Sequence, residues 1–229
     1  MNFLDVPLEQ LARDIPGASA VFNRRGLSFC CGGDRPLGEA IRAEGLDGDA
    51  ILAELSGLAG RQEESRDWGQ ASDAELINHL LERFHQVHRE QLAELQRLAD
   101  RVETVHGDKP QCPRGLAAHL QTMSRELEQH MAKEEQILFP MLARGQGAMA
   151  AGPIQVMLHE HDEHAAAIEG IDRLTDGITA PAGACNTWRA LYRGLEAFRA
   201  DLQEHIRLEN DILFARNLQS TQSTSPRAC

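Results

Sequence analysis

The chain has 229 residues and carries 35 acidic against 23 basic side chains, a formal net charge of −12. That length suits one sizeable core with a small satellite, and the acidic balance excludes a nucleic-acid surface, which needs clustered Lys and Arg to displace counterions from phosphate. No stretch approaches the ~20 apolar residues that span a bilayer, Met1-Asn2-Phe3-Leu4-Asp5 lacks the basic and apolar regions of a signal peptide, and five cysteines without framework spacing point to reduced thiols and a cytoplasmic protein.

Residues 1–60 are dense in turn signals: Pro16-Gly17, Gly26, Gly32-Gly33, Pro36 and Gly45 break them into short helical pieces such as 8–15 and 50–58. The expectation is a small N-terminal domain of short helices. Residues 61–71 open on the polar run Arg61-Gln62-Glu63-Glu64-Ser65-Arg66-Asp67, which has no apolar periodicity and reads as a linker.

Long helical patterns fill residues 72–217. Ser72-Asp73-Ala74-Glu75 is a capping box opening the first helix, which should run to about Thr104 before Gly107-Asp108-Lys109-Pro110. Pro113 suits the first turn of the second helix, which should end or kink near Pro140, with Gly145 and Gly147 marking its stop. The third is expected from Gly152-Pro153 to near Gly177, and the fourth from Asn186-Thr187 to about Asn217. The Ser/Thr/Gln-rich tail 218–229 is expected to be disordered. Helices of roughly 25–30 residues joined by short loops predict an all-α, up-down-up-down four-helix bundle.

A bundle helix turns inward the residues spaced alternately three and four apart. The stripes are Ile77, Leu81, His85, His88, Leu92 and Leu95; then Leu116, Leu120, Met123, Leu127, His130, Glu134, Ile137 and Met141; then Ile154, Met157 or Leu158, His161, Ala165 and Ile168; then Leu191, Leu195, Phe198, Leu202, His205, Glu209 and Ile212. Every helix puts a histidine in its apolar seam, and the second and fourth add a glutamate one turn later. A buried carboxylate costs several kcal/mol unless paired or metal-bound, and no Lys or Arg shares these seams, so a metal ion is the simplest compensating charge.

His-x-x-x-Glu sets both side chains on one helical face. The candidate ligands are therefore His85, His130, Glu134, His161, His205 and Glu209, with the glutamates able to bridge two ions while two histidines cap each. One histidine on an apolar face is ordinarily a satisfied core residue; four in register with two seam glutamates are not independent accidents. Nitrogen and oxygen ligands without thiolate favour iron over structural zinc, with manganese the other candidate. His88 stays outside the set, as an outer neighbour or a solvent-side residue. His79, His106, His119, His159 and His164 fall off the seams or in loops and are expected to be exposed. Cys112 and Cys185 precede helices and read as structural, and Cys229 is a tail thiol.

Ferritin-like sites use Glu-x-x-His on two helices, and only Glu82-x-x-His85 has that spacing here. The two His-x-x-x-Glu motifs resemble hemerythrins instead. Oxygen-carrying hemerythrins add His-x-x-x-His on the third helix; the residues four away from His161 are Met157 and Ala165, which leaves coordination open and suits reactivity over storage.

A closer resemblance lies in Ile15-Pro16-Gly17-Ala18-Ser19-Ala20-Val21-Phe22 and Cys30-Cys31-Gly32-Gly33, which are similar to the N-terminal domain of the repair-of-iron-centres family, known as YtfE, ScdA or Ric. The bundle motifs His85-Gln86-Val87-His88-Arg89-Glu90, His130-Met131-Ala132-Lys133-Glu134-Glu135, Glu160-His161-Asp162-Glu163 and His205-Ile206-Arg207-Leu208-Glu209-Asn210 extend the resemblance to about residue 217. It implies a hemerythrin-like bundle holding two non-haem iron ions, bridged by oxo and carboxylate groups. It also implies a cytoplasmic protein that restores iron–sulfur clusters damaged by nitric oxide or oxidants, by supplying iron or by reducing nitric oxide. The expected partners are damaged cluster proteins and nitric oxide or dioxygen, with a homodimer among the admissible assemblies and no nucleic acid or membrane. Cys30 and Cys31 would serve that chemistry, since thiolates bind borderline metals and react with nitrosyl species, although two small residues in a tight turn would fit the same motif. An oxygen or nitric-oxide sensor is the competing reading.

Overall fold

The computed structural model describes residues 3–15, 17–27, 33–59 and 67–222, so Cys30, Cys31, residues 61–66 of the expected linker and residues 223–229 of the tail lie outside it. The described residues are helical with no strand; the one extended pairing is an isolated bridge between Pro7 and Pro36.

The N-terminal helices are α1 (Leu8–Asp14), α2 (Ala18–Arg24), α3 (Leu37–Glu44) and α4 (Gly48–Ala59). Pro7 and Pro36 stand just before α1 and α3, where a fixed φ suits helix entry and a missing N–H costs nothing. Around them Leu8 N–H donates to the Arg35 carbonyl at 3.1 Å and Leu37 N–H to that of Val6 at 3.0 Å, which ties the two helix starts together. Gly45 ends α3 at φ 63°, a left-handed conformation that favours glycine.

Four long rods follow. The first is α5 (Asp73–His79), a π-turn (Leu80–His85) and α6 (Gln86–His106); the second is α7 (Leu116–Lys133), a π-turn (Glu134–Leu138) and α8 (Phe139–Ala143). The third is α9 (Gly147–Thr175), and the fourth is α10 (Asn186–Arg207), a π-turn (Leu208–Phe214) and α11 (Ala215–Gln222). The capping box is present: Glu75 N–H donates to Ser72 Oγ at 3.3 Å, and Ser72 N–H donates to Glu75 Oε2 at 3.0 Å.

Compactness groups the chain differently from sequence order. One unit joins the described residues of Met1–Glu64 with Gln91–Leu120 and Ile171–Ala197; the other takes Ser65–Glu90, Gln121–Gly170 and Phe198–Cys229. In the first unit Ser19 Oγ donates to Glu94 at 2.6 Å and Asn186 Nδ2 to Glu9 at 2.7 Å, so α2 and α1 are anchored to α6 and α10 over an apolar interior. In the second, Leu76, Leu80, Phe84, Leu138, Leu142, Ile154, Leu208, Leu213 and Phe214 form a continuous buried cluster.

Several sequence boundaries and seam positions are corrected. The last helix runs through Gln222, so residues 218–222 are not disordered: Arg216 donates to the Ala71 carbonyl at 2.6 Å, Asn217 Nδ2 to Asp73 at 2.9 Å, and Leu218 packs on the apolar cluster. The third rod starts at Gly147 and contains Pro153; full burial of Ala150 and Ile154 offsets the backbone bond that proline removes. Ile137, expected inward, is 52% exposed, and Leu138 is buried in its place. The cause is the π-turn, in which Phe139 N–H reaches back five residues to the Glu134 carbonyl and the inward stripe slips by one. Ile212 slips likewise: it is partly buried, while Leu213 is fully so.

Candidate metal centre

Three of the polar seam residues sit at the π-turns. His85 closes the first, Glu134 opens the second, and Glu209 is the second residue of the third. A π-turn widens the helix so that two consecutive residues can face inward, which a regular helix spaced at 3.6 does not allow. Glu134 and Glu209 use this to point at the centre, while the residues that follow them, Glu135 and Asn210, turn to histidines on other rods.

The structure brings all six expected ligands together. They form two overlapping groups, His85, Glu134, His205, Glu209 and His130, Glu134, His161, Glu209, with the ligand atoms of each within 4.8 Å of one another. Both glutamates belong to both groups. His85 and His130 each place Nε2 at 3.4 Å from Glu134 Oε2, and Nε2 of His161 and His205 lie 3.1 and 3.2 Å from the Glu209 carboxylate. All six residues are at most 2% exposed.

Hydrogen bonds behind the rings decide which nitrogen faces the centre. His85 Nδ1 donates to Glu135 at 2.9 Å, His130 Nδ1 to Glu160 at 3.0 Å, and His161 Nδ1 to Asn210 Oδ1 at 2.7 Å. A neutral imidazole carries one N–H, so each of these rings presents an Nε2 lone pair inward. Nε2 of His130 and His161 then face each other at 3.2 Å, and both carboxylates are acceptors as well. The buried atoms Glu134 Oε1 and Oε2, Glu209 Oε1 and Oε2, and His85 and His205 Nε2 meet no hydrogen-bond partner. Acceptors crowded on acceptors in a dry core are stable only around a cation or around protons. The donor set therefore fits ions that take imidazole and carboxylate, as iron does.

The protonation pattern follows. Burial pushes the His130 imidazole down to about 3, so it stays neutral and ready to ligate. Burial acts on His161 too, but Glu209 and Asn210 outweigh it and hold its pKa above the usual value. Burial and the adjacent Glu209 charge raise Glu134 well above the carboxylate range. Burial works on Glu209 in the same sense, yet the His205 and His161 imidazoles hold it well below that range. Without a cation, Glu134 is the carboxylate that keeps a proton.

Sequence reasoning missed the residues behind the ligands. Glu135 also accepts from Arg89 at 2.9 Å, and Glu160 is paired with Lys133. Glu135 and Asn210 directly follow Glu134 and Glu209, a doubled polar pair in each motif that could have signalled them. His164, expected to be exposed, is 5% exposed with its ring edge-on to His130 at 4.9 Å between centroids, and burial pushes its pKa to about 4. It lies three residues after His161, which is still on the inward face, because a core-facing helix buries a stripe wider than one seam. His88 is likewise buried, 5.2 Å from the His205 ring and edge-on to Phe198. Phe84 stacks on His205 and Phe214 on His161, so apolar rings close the centre from water. His106 and Cys185 meet in the other unit, Nε2 to Sγ 3.2 Å. No helix among the described residues is long and apolar enough to cross a membrane.

A bundle whose rods converge imidazoles and shared carboxylates on one dry point is a hemerythrin-type cation-binding protein. Comparison with known proteins agrees and goes further. Residues 76–216 match the hemerythrin HHE cation binding domain, and residues 4–59 match a domain of unknown function, DUF542, of the ScdA N-terminal type. The chain is 50% identical over 219 residues to the iron-sulfur cluster repair protein YtfE of Yersinia pseudotuberculosis serotype O:1b, covering 96% of this chain and 99% of that one. The YtfE of Pectobacterium carotovorum is 49% identical over the same shares, and that of Yersinia pestis strain Pestoides F is 50% identical. The chain belongs to the YtfE family of hemerythrin-like proteins.

Proposed function

We infer that this protein repairs iron–sulfur clusters, using two iron ions that the carboxylates of Glu134 and Glu209 bridge and that His85 with His205, and His130 with His161, cap. The observation that carries the reading is the pair of fully buried glutamates shared by two histidine pairs, in a chain half identical along nearly its whole length to proteins named for cluster repair. When bound, the irons supply ferrous ions for rebuilding a cluster and redox capacity toward nitric oxide. Two imidazoles and two shared carboxylates leave each ion short of six ligands, and the residues four away from His161 are Met157 and Ala165, so nothing from that rod fills the position.

The residues of the chain do the rest. In the ion-free centre Glu134 would hold a proton and quiet the buried charge, while Glu209 stays ionised against His205 and His161. Phe84, Phe139, Phe198 and Phe214 keep bulk water out, so that a small uncharged ligand enters more readily than an ionic one. Cys30 and Cys31 are proposed as the thiol pair that handles iron or nitrosyl groups outside the centre, and the cytoplasm, with its damaged cluster proteins, as the setting. The sensing alternative is not favoured, because the relatives are named for repair.

The test uses an iron–sulfur hydratase inactivated by nitric oxide. Iron-loaded protein should restore its activity, the chelator-stripped protein should not, and the Cys30→Ser/Cys31→Ser variant should keep its iron but repair more slowly. Equal repair by loaded and stripped protein would sink the reading. Reversible nitric-oxide binding without any repair would favour the sensor.

A further inference from the structure

The two ion positions are built from matching first ligands but not from matching support. At the position between His130 and His161 both rings are held from behind: His130 by Glu160, itself paired with Lys133, and His161 by Asn210 Oδ1 at 2.7 Å. At the position between His85 and His205 only His85 is held, by Glu135 with Arg89 behind it. Nδ1 of His205 is buried and meets no hydrogen-bond partner. The ring is positioned by stacking on Phe84, centroids 5.3 Å apart and planes within 7°, which fixes its plane but not its tautomer.

A backing acceptor does two things for a ligating imidazole. It fixes the proton on Nδ1, so the lone pair is on Nε2 before the ion arrives, and it makes that lone pair more basic. His205 has neither aid. Its neutral form divides between two tautomers, only one of which can bind through Nε2. Loss of one such partner typically weakens metal binding about 10–100-fold.

We propose that the two positions are inequivalent, the ion between His85 and His205 being the weakly held one that leaves first, while the ion between His130 and His161 stays. This rests on the two-ion reading above. It divides the labour within the centre: one position delivers iron, and the other keeps the buried glutamates neutralised so that the bundle survives delivery. Asn210 is then a positioning residue, set beside a ligand by the π-turn, and it creates the difference.

Full-length protein would be loaded with ferrous iron without oxygen, mixed with an excess of a chromogenic ferrous chelator, and its iron per chain followed in time. Two phases separated by about tenfold or more are expected. Asn210→Leu removes the acceptor behind His161 and should merge the phases. Asn210→Asp keeps an acceptor, adds charge and should separate them further, which a merely structural role for Asn210 would not produce. In His205→Ala the one remaining ion should leave with the parent's slow phase, and in His161→Ala with its fast phase. A single phase for both ions in the parent, or a slowly leaving ion in His161→Ala, overturns the proposal. Uptake of fewer than two ions by the parent is a distinct result: it removes the two-ion reading itself, and this inference with it.

Discussion

The same rods build two interiors of opposite character. In the unit containing Gln91–Leu120 and Ile171–Ala197 they turn Leu95, Leu98, Val102, Leu116, Leu120, Ile171, Leu191 and Leu195 inward, and the rods there are regular α. In the unit containing Ser65–Glu90, Gln121–Gly170 and Phe198–Cys229 the inward residues include His85, His130, Glu134, His161, His205 and Glu209, and all three π-turns fall there. An apolar interior asks only for bulk at the right spacing, which a 3.6-residue turn supplies. A ligand set asks for particular atoms at particular points, and for the next residue to face inward as well, which only a distorted turn provides. The first unit rests chiefly on apolar burial, whereas the second gathers buried imidazoles and carboxylates that call for a compensating charge.

That contrast is most exposed at the two carboxylates common to both groups. Glu134→Ala and Glu209→Ala should each lose both ions, read as iron per chain, because each glutamate serves both groups. Glu134→Gln should also lose them, while leaving the melting temperature of the ion-free protein near the parent's, since in that state Glu134 already holds a proton and is neutral. An intact pair of irons in either alanine variant would end the bridging role. Leu195→Ala, in the apolar unit, should do the opposite: about 2–5 kcal/mol of stability lost in denaturant titration, with the iron content still at two. If iron fell with stability there, the two interiors would not be separable.

A finer probe is the π-turn itself. Deleting Ile137, an exposed residue of Glu134–Leu138, should restore a regular helix with unchanged far-ultraviolet circular dichroism and weaken iron binding about tenfold, because Glu134 and Glu135 can no longer both face inward. Unchanged affinity would show the distortion to be incidental. The smallest effect concerns pH in the ion-free protein. His130 and His164 have folded pKa values of about 3 and about 4, below an unfolded value near 6.5. Between those limits the unfolded chain binds protons that the folded chain refuses, so their contribution is full above pH 6.5 and fades as pH falls. His161 and Glu134, both raised, act the other way: each adds stability that is full below its ordinary pKa and fades as pH rises. The depressed rings are therefore read by difference: the loss of stability on going from pH 7 to pH 5 should be smaller in His164→Gln than in the parent, by on the order of 1 kcal/mol. An identical pH dependence in the two proteins would mean that this ring is not held neutral.

Much of this was legible in the sequence because each rod repeats a simple period. The capping box at Ser72 and Glu75, the start of the fourth rod at Asn186 and the convergence of six polar seam residues all follow from spacing. What was not legible is where the period itself breaks. A regular stripe continued through the π-turns points Ile137 and Ile212 inward, but those turns gain a residue, and nothing in composition marks such a gain. His164 falls outside a single seam yet inside the wider face that a bundle helix buries. Residues 218–222 looked like tail by composition, but Arg216 and Asn217 tie that stretch to the start of the first rod through long-range bonds.

The π-turns carry a consequence for descent. Each one amounts to a single inserted codon in an otherwise heptad-paced reading frame, so the step between a plain apolar bundle and one that binds ions is small in genetic distance and open in both directions. Relatives without the seam histidines and glutamates should carry one-residue gaps within 80–85, 134–138 and 208–214, and an alignment that forbids gaps inside helices would misplace every residue beyond them. Retention of all three insertions in a lineage without the histidines would break that link between length and chemistry.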